Sequence, residues 1–203
     1  MLEMSNTRAR IGRFDRRLSR LACAWGFCFF ATLAAVPAAA ATSVEVTRAS
    51  IALDDGVYEL DVDLGLNLPG GARRAIEAGL TLRLNYEIEI ARVRRYLPDP
   101  DVASLVQSYE LGYHALSQRY LLRNRNTGEQ QDFGALSSAL DRLATVRGLP
   151  LIDATLLDPG TTYEIRVRAV LRLSSAPDTF GWLLFWTEDW SATSEWYAWT
   201  HRP

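Results

Sequence analysis

One segment, residues 80–96, constrains the fold more than any other because its apolar and polar side chains alternate. It reads LTLRLNYEIEIARVRRY, with leucine, tyrosine or isoleucine at every second position and polar residues between them. A two-residue period is typical of a β-strand with one buried and one solvated face. The alternation ends at Arg92–Val93, where we expect a β-bulge or the departure of the strand from the core.

Further segments with strand character predict the partners of this strand. They are residues 43–53, 57–68, 105–113, 118–125, 151–157 and 162–173. Asp55 and Gly56 separate the first two by a two-residue Asp-Gly turn, which is the signal of a tight hairpin. The sequence therefore predicts a mainly β fold, bordering on α+β: an antiparallel, β-sandwich-like domain with one or two short helices.

The two helices are predicted between strands. Residues 72–78 have room for two turns, closed by Gly79 as a left-handed cap. Residues 133–146 form the better helix, with Asp132 as its N-cap and Gly148 beyond its end. Its apolar side chains recur at helical spacing, at Phe133, Leu136, Leu140 and Leu143.

The first 41 residues differ in composition from the rest and predict an export signal. Six arginines precede an apolar run at residues 21–36, and Pro37 and four alanines follow it. A basic head, an apolar middle and a small-residue exit are the parts of a secretory signal peptide, here cleaved after Ala40 or Ala41. The alternative is an uncleaved inner-membrane anchor, because residues 21–41 are just long enough to span a bilayer.

These features predict the organisation and location of the protein. We expect residues 1–41 to be a signal peptide or N-terminal anchor and residues 42–203 to form a single antiparallel β-rich domain in the periplasm or outside the cell. Both cysteines, Cys23 and Cys28, lie in the leader, which leaves the domain without a disulfide or thiol nucleophile. Without residues 1–41, 16 of 22 basic and 22 of 24 acidic residues remain, a net charge of about −6. That charge argues against nucleic acid or anionic lipid as the main partner.

Patterns that carry catalysis are mostly missing from the domain sequence. It has no Gly-rich phosphate loop, no G-x-S-x-G elbow and no HExxH pair. Two carboxylate pairs, Asp61 with Asp63 and Glu87 with Glu89, each share a strand face. Acid–base chemistry can require such pairs, but solvated acids facing Arg83 or Arg166 across the sheet explain them as well. We expect His114 to be a packed, hydrogen-bonded structural residue, and we expect no catalytic, cofactor-binding or metal-binding residues and no cofactor.

All five tryptophans of the domain lie between residues 182 and 199. We expect Trp190, Trp196 and Trp199 to complete the core as a last strand. The preceding segment FGWLLFW, flanked by Pro177 and Glu188, predicts an exposed interaction surface instead. Its candidate residues are Phe180, Trp182, Leu183, Phe185 and Trp186.

The string LDPGTTYEIRVRAV resembles the corner between strands in fibronectin type III and other immunoglobulin-like sandwiches. In those folds a tyrosine hydroxyl reaches back to the backbone a few residues upstream, and Tyr163 matches that tyrosine. The alternative is an ordinary Pro-Gly turn before a strand.

Several features together resemble DUF4390, a family of uncharacterised proteobacterial exported proteins. They are the leader, L-x-x-G-x-Y-x-L at Leu53, Gly56, Tyr58 and Leu60, R-x-R-R-Y at residues 92–96, SYELGYHALSQRYLL, the Tyr163 corner, and W-x-x-x-S-x-W at Trp190, Ser194 and Trp196. The family has no assigned activity. Its genes often neighbour that of a membrane sensor kinase of the nitrogen-regulation type, which implies a periplasmic accessory role.

These observations predict an exported, non-catalytic binding or interaction module that acts on a membrane or envelope protein, including the sensor kinase that the resemblance implies. Contact with the membrane would be made through the leader or through residues 180–186. The alternative is an enzyme with a cryptic site of carboxylates and His114.

Overall fold

The computed structural model describes residues 42–94, 101–174 and 191–203, which contain ten strands and two helices. The strands are β1 (Ser43–Asp54), β2 (Val57–Asn67), β3 (Thr81–Arg92), β4 (Asp101–His114), β5 (Arg119–Asn124), β6 (Gln130–Phe133), β7 (Thr145–Asp153), β8 (Tyr163–Ser174), β9 (Ser191–Thr193) and β10 (Tyr197–His201). The helices are α1 (Gly70–Glu77) and α2 (Leu136–Leu143), and a short 3₁₀ turn spans Ala154–Leu156. The fold is mainly β with few short helices, as predicted.

Two antiparallel sheets form the domain. The small sheet has the order β1-β2-β7, and the large sheet has the order β10-β8-β3-β4-β5-β6, with β9 also paired to β8. The alternation of β2, β3 and β8 is confirmed, because their inward side chains are buried in one cluster shared by both sheets. Its members include Leu60, Val62, Leu64, Leu82, Leu84, Tyr86, Ile88, Val167, Ala169 and Leu171. The sheets therefore pack face to face, as in a β-sandwich.

The hairpin and the first helix form as predicted. Asp55 and Gly56 have φ angles of 42° and 81°, so both adopt the left-handed conformation of a type I′ turn between β1 and β2. α1 buries Ala72 and Ile76 and ends where Gly79 takes a φ of 100°. The N–H of Leu80 then bonds to a carbonyl five residues earlier, at 2.9 Å, which is the Schellman arrangement.

The second helix is shorter than the predicted 133–146. Asp132 is not its N-cap; it lies in β6, where it forms an ion pair with Arg119 of β5. Phe133 pairs with Tyr120 in the sheet, and Ala135 occupies the N-cap position without a side-chain cap. The prediction was wrong here because Phe133 fits both a helical and a strand pattern, and pairing with β5 decides between them.

The strand predicted at residues 151–157 is also displaced. β7 begins at Thr145, and the chain turns into a 3₁₀ turn after Asp153. Gly148 and Pro150 suggested a break between a helix and a strand, but both lie inside β7. Gly148 has a φ of 59° beside a register shift in the pairing with β2, and Pro150 is tolerated because β7 is an edge strand.

The predicted corner at Tyr163 is confirmed. Its side chain is fully buried, and its hydroxyl accepts a hydrogen bond from the backbone N–H of Asp158 at 2.8 Å. Arg92 donates to the same hydroxyl at 3.3 Å and forms an ion pair with the Asp158 carboxylate. β3 ends at Arg92 as expected, although its register shift against β4 lies slightly earlier, between Ile90 and Ala91.

Candidate functional site

The predicted interaction surface of Phe180, Trp182, Leu183, Phe185 and Trp186 lies outside the described residues, as does Trp190. The structure describes the strands on either side of it. β8 ends at Ser174, β9 begins at Ser191, and Arg172 pairs with Ser191 across the ladder. Residues 175–190 thus join two neighbouring antiparallel strands with 16 residues, where hairpin loops usually have about 2–5. Connections of this length between neighbouring strands are often functional.

An open cavity of about 520 Å³ lies where β9 ends. The first residues of β1, residues near the end of β2, and the end of β9 with the β9–β10 connection line it. They are Ser43, Val44, Glu45, Gly65, Leu66, Asn67, Thr193, Ser194 and Glu195. The start of β1 and the β9–β10 connection are therefore neighbours at this cavity.

Ser194, which lines this cavity, has a structural role. Its Oγ accepts the N–H of Ala169 at 2.9 Å, and its own N–H donates to the Ala169 carbonyl at 2.9 Å. The Oγ also donates to the carbonyl of Glu195. Ser194 thus continues the ladder on β8 between β9 and β10, and its hydroxyl is committed to the main chain.

The outer face of the large sheet carries charge-balanced pairs between β3 and β8. Glu87 bonds to Arg168 at 2.6 Å, and Glu89 bonds to Arg166 at 2.5 Å. This confirms the expectation that these acids face arginines across the sheet, although Arg83 pairs elsewhere. Both acids therefore have structural partners.

Trp196 lies over these arginines rather than in the core. Its ring centroid is 4.4 Å from the guanidinium carbon of Arg168 and 5.5 Å from that of Arg166, within cation–π range. The prediction that Trp196 completes the core is wrong, whereas Trp199 does pack against the buried clusters. Residues three apart on a strand face opposite sides, so the spacing of these two tryptophans carried the signal.

The other predicted carboxylate pair supports β7. Asp61 accepts the backbone N–H of Gly148 at 2.9 Å, and Asp63 forms an ion pair with Arg147. These bonds hold the irregular part of β7 against β2, so both acids stabilise the small sheet.

A second part of the outer face is strongly basic, and the sequence analysis missed it. In the strand register Arg123 of β5 lies opposite Glu110 of β4, Glu110 opposite Arg83 of β3, and Arg83 opposite Arg172 of β8. Arg125 joins them from the turn after β5. We call these four arginines the arginine row. Arg83 and Arg172 were visible at outward positions in the alternation, but only the register shows that the arginines are neighbours.

Glu110 is the acid at the centre of the arginine row. Its two oxygens accept from Arg83 at 2.6 Å and from Arg125 at 3.2 Å. Burial by itself raises the pKa of Glu110, but the bonds and charges of the two arginines outweigh it, so the pKa lies below its usual range. Glu110 is therefore ionised and offsets one of the positive charges.

A polar depression of about 350 Å³ lies beside the arginine row. Arg83, Asn85, Ser108, Arg125 and Asn126 line it. The amide of Asn126 is used structurally, because it bonds to the backbone of β4 beyond the end of its pairing with β5. The Oδ1 of Asn85, in contrast, is buried without a hydrogen-bond partner among the described residues.

The two histidines lie at opposite ends of the large sheet. His114 is exposed at the end of β4, where its Nδ1 shares a hydrogen bond with the Ser117 hydroxyl at 2.9 Å. It is hydrogen-bonded as predicted but not packed. His201 lies on β10 opposite Tyr163 and meets the ring of Tyr58 edge-on at 5.0 Å. Neither carboxylate pair is hydrogen-bonded to a histidine in the described residues.

Within residues 42–94, 101–174 and 191–203 there is no group of three or more metal-ligating side chains, and no helix long and apolar enough to cross a membrane. Searches of the curated proteins and of the solved structures found no match to the chain. A family model, the domain of unknown function DUF4390, matches residues 41–200, which is most of the chain. The chain therefore belongs to the DUF4390 family.

Proposed function

We propose that this protein is an exported, non-catalytic binding module that docks on a membrane or envelope protein through residues 180–186. The observation that carries the proposal is the 16-residue connection between β8 and β9. A hairpin connection needs only a few residues, so a long one with seven large apolar side chains has a use other than joining strands.

The position of this connection supports a partner at the membrane. The chain returns from it into the three-residue strand β9, and the end of β9 lines the same cavity as the start of β1. Residues 1–41 join the domain at that start, so a retained leader would hold this end near the bilayer. The net charge of the domain favours a protein partner over anionic lipid, and the extracytoplasmic part of a sensor kinase fits the family resemblance.

The docking proposal is tested by Trp182→Ala and Trp186→Ala. If the segment docks, both variants keep their melting behaviour within about 0.5 kcal/mol and lose binding to envelope membranes. Leu116→Ala is the matched control, because Leu116 is 94% exposed on the β4–β5 turn and has no part in the proposal. Stability losses of about 3–5 kcal/mol in both tryptophan variants would show buried core residues and end the docking idea.

Two further samples distinguish a protein partner from a lipid partner. Protease-treated membranes should no longer bind the protein, and protein-free phosphatidylcholine vesicles should not bind it at all, if the partner is a protein. Undiminished binding to both would contradict the proposal.

Export is tested by mass spectrometry of the protein recovered from the envelope. A cleaved leader gives an N-terminus near Ala41 or Thr42, and an intact N-terminus in the membrane fraction shows an anchor. The enzyme alternative stays a prediction that no observation on the described residues favours, because both carboxylate pairs have structural partners.

A further inference from the structure

The arginine row concentrates positive charge on an acidic domain. Its four arginines surround one acid, Glu110, which leaves a net charge of +3. The neighbouring part of the same face, with Glu87, Glu89, Arg166 and Arg168, is balanced pair by pair. The excess is therefore local rather than a general property of the sheet.

The row also contains an unfavourable pairing of like charges. Arg83 and Arg172 lie directly opposite each other on adjacent strands, where like charges destabilise a sheet. Arg172 and Arg123 have no ion-pair partner among the described residues. The rest of this face pairs each arginine with an acid, so unpaired arginines at one place indicate a site where a bound anion would neutralise their charge.

The polar depression gives that anion a place to bind. Guanidinium groups of Arg83 and Arg125 line it, and each has N–H groups that Glu110 does not use. The buried Oδ1 of Asn85 lacks a donor, and a buried polar atom without a partner usually marks an unfilled interaction. The Ser108 hydroxyl lies on the same wall and forms no side-chain hydrogen bond in the described residues.

We propose that the depression beside the arginine row binds a phosphate group. A phosphate carries about 1.5–2 negative charges and three acceptor oxygens, which matches a surplus of three positive charges better than a single carboxylate does. A protonated phosphate oxygen, or a hydroxyl group next to the phosphate on the ligand, donates to Asn85 Oδ1. The phosphate belongs to a soluble phosphate monoester or to a lipid headgroup that is itself a phosphate monoester, and the chemistry of recognition is the same for both.

The test is calorimetric titration of the exported protein with inorganic phosphate and with glycerol phosphate at low salt. Arg172→Gln is the informative variant, because Arg172 has no ion pair whose loss would disturb the fold. Arg48→Gln is its matched control, with the same charge change at an exposed arginine of β1 that also has no ion pair among the described residues. Arg172 lies opposite Arg83 and not in the wall of the depression, so it acts through its charge. Removing one of the three surplus charges should weaken phosphate binding about threefold or more at low salt, whereas Arg48→Gln, on the other sheet, should weaken it by less than about 1.5-fold.

Two further measurements identify the source of the phosphate and the role of Asn85. Vesicles containing phosphatidic acid, whose headgroup is a phosphate monoester, would place the phosphate in a lipid headgroup if they retain the wild type but not Arg172→Gln, with phosphatidylcholine vesicles as the control. Asn85→Ala should reduce the preference for phosphate over sulfate, because sulfate has no proton to donate. Equal losses in Arg172→Gln and Arg48→Gln, or no saturable binding to the soluble phosphates or the vesicles, would overturn the proposal.

Discussion

Replacing Tyr86 by phenylalanine tests how the second helix is held on the large sheet. The Tyr86 side chain is 1% exposed, and its hydroxyl donates to the carbonyl of Leu143 at 2.8 Å. Leu143 is the last residue of α2, so its carbonyl has no partner within the helix. The Tyr86 hydroxyl is thus the donor that satisfies the buried carbonyl at the end of α2.

The size of the effect follows from that burial. Tyr86→Phe keeps the ring and leaves a buried acceptor without a donor, which costs about 1–3 kcal/mol rather than the smaller net value of an exposed hydrogen bond. For a domain of this length each kcal/mol lowers the melting temperature by about 2–4 °C, so we expect a decrease of about 2–12 °C. The denaturant m-value should not change, because the core stays closed.

Denaturant melts of the wild type, Tyr86→Phe and a control variant measure this loss of stability. Tyr113→Phe is the control, since the Tyr113 hydroxyl has no hydrogen-bond partner among the described residues, and it should change stability by less than about 0.5 kcal/mol. Equal effects in the two variants, or a loss below that limit for Tyr86→Phe, would refute the reasoning.

The pH dependence gives an independent measurement on the same residue. Burial, with a smaller contribution from Tyr109, raises the pKa of Tyr86 far above its ordinary value. A raised pKa means that the stabilisation is present below the unfolded value of about 10 and is lost as the pH rises above it. The wild type should therefore lose stability more steeply than Tyr86→Phe above about pH 10, and parallel curves would contradict this.

Three other changes are predicted. Leu140→Ala should lower the free energy of unfolding by about 2–5 kcal/mol, because Leu140 lies on the buried face of α2. A change of a few tenths of a kcal/mol in a denaturant melt would show that the helix does not pack there. His114→Gln should change it by less than about 0.5 kcal/mol, because His114 is exposed and bonds only to Ser117 among the described residues; a large loss in the same assay would contradict that. Glu110 has a lowered pKa, so its stabilisation is present above the unfolded value of about 4.3 and is lost as the pH falls below it. Acid melts of Glu110→Gln should therefore show a weaker decline than the wild type.

The elements that depend on local patterns could be predicted from the sequence. The alternation in β2, β3 and β8 determines which side chains face the core, since successive strand residues point to opposite faces. The Asp55-Gly56 turn and the cap at Gly79 are conformations that few residues other than glycine, asparagine and aspartate adopt, so they too were visible. The corner at Tyr163 was recognisable for a similar reason, because its bond to Asp158 spans only five residues.

The remaining errors arose where two local structures were possible. Phe133 and residues 145–146 fit either a helix or a strand, and only pairing with β5 and β2 selects the strand. Trp196 was assigned to the core because tryptophan is usually buried, but it lies in the β9–β10 connection, which places its ring over the arginines of β8.

The arginine row could not be predicted from sequence patterns for a different reason. Arg83 and Arg172 occupy outward strand positions that the alternation identifies correctly. Arg83 and Arg172 are nonetheless far apart in the chain, and β3 and β8 become neighbours only through long-range pairing. The sequence alone determined the face on which each side chain lies, because the two-residue period is a local property of the backbone. The tertiary structure decided which side chains meet on that face, because strand order and register follow from the packing of the whole core.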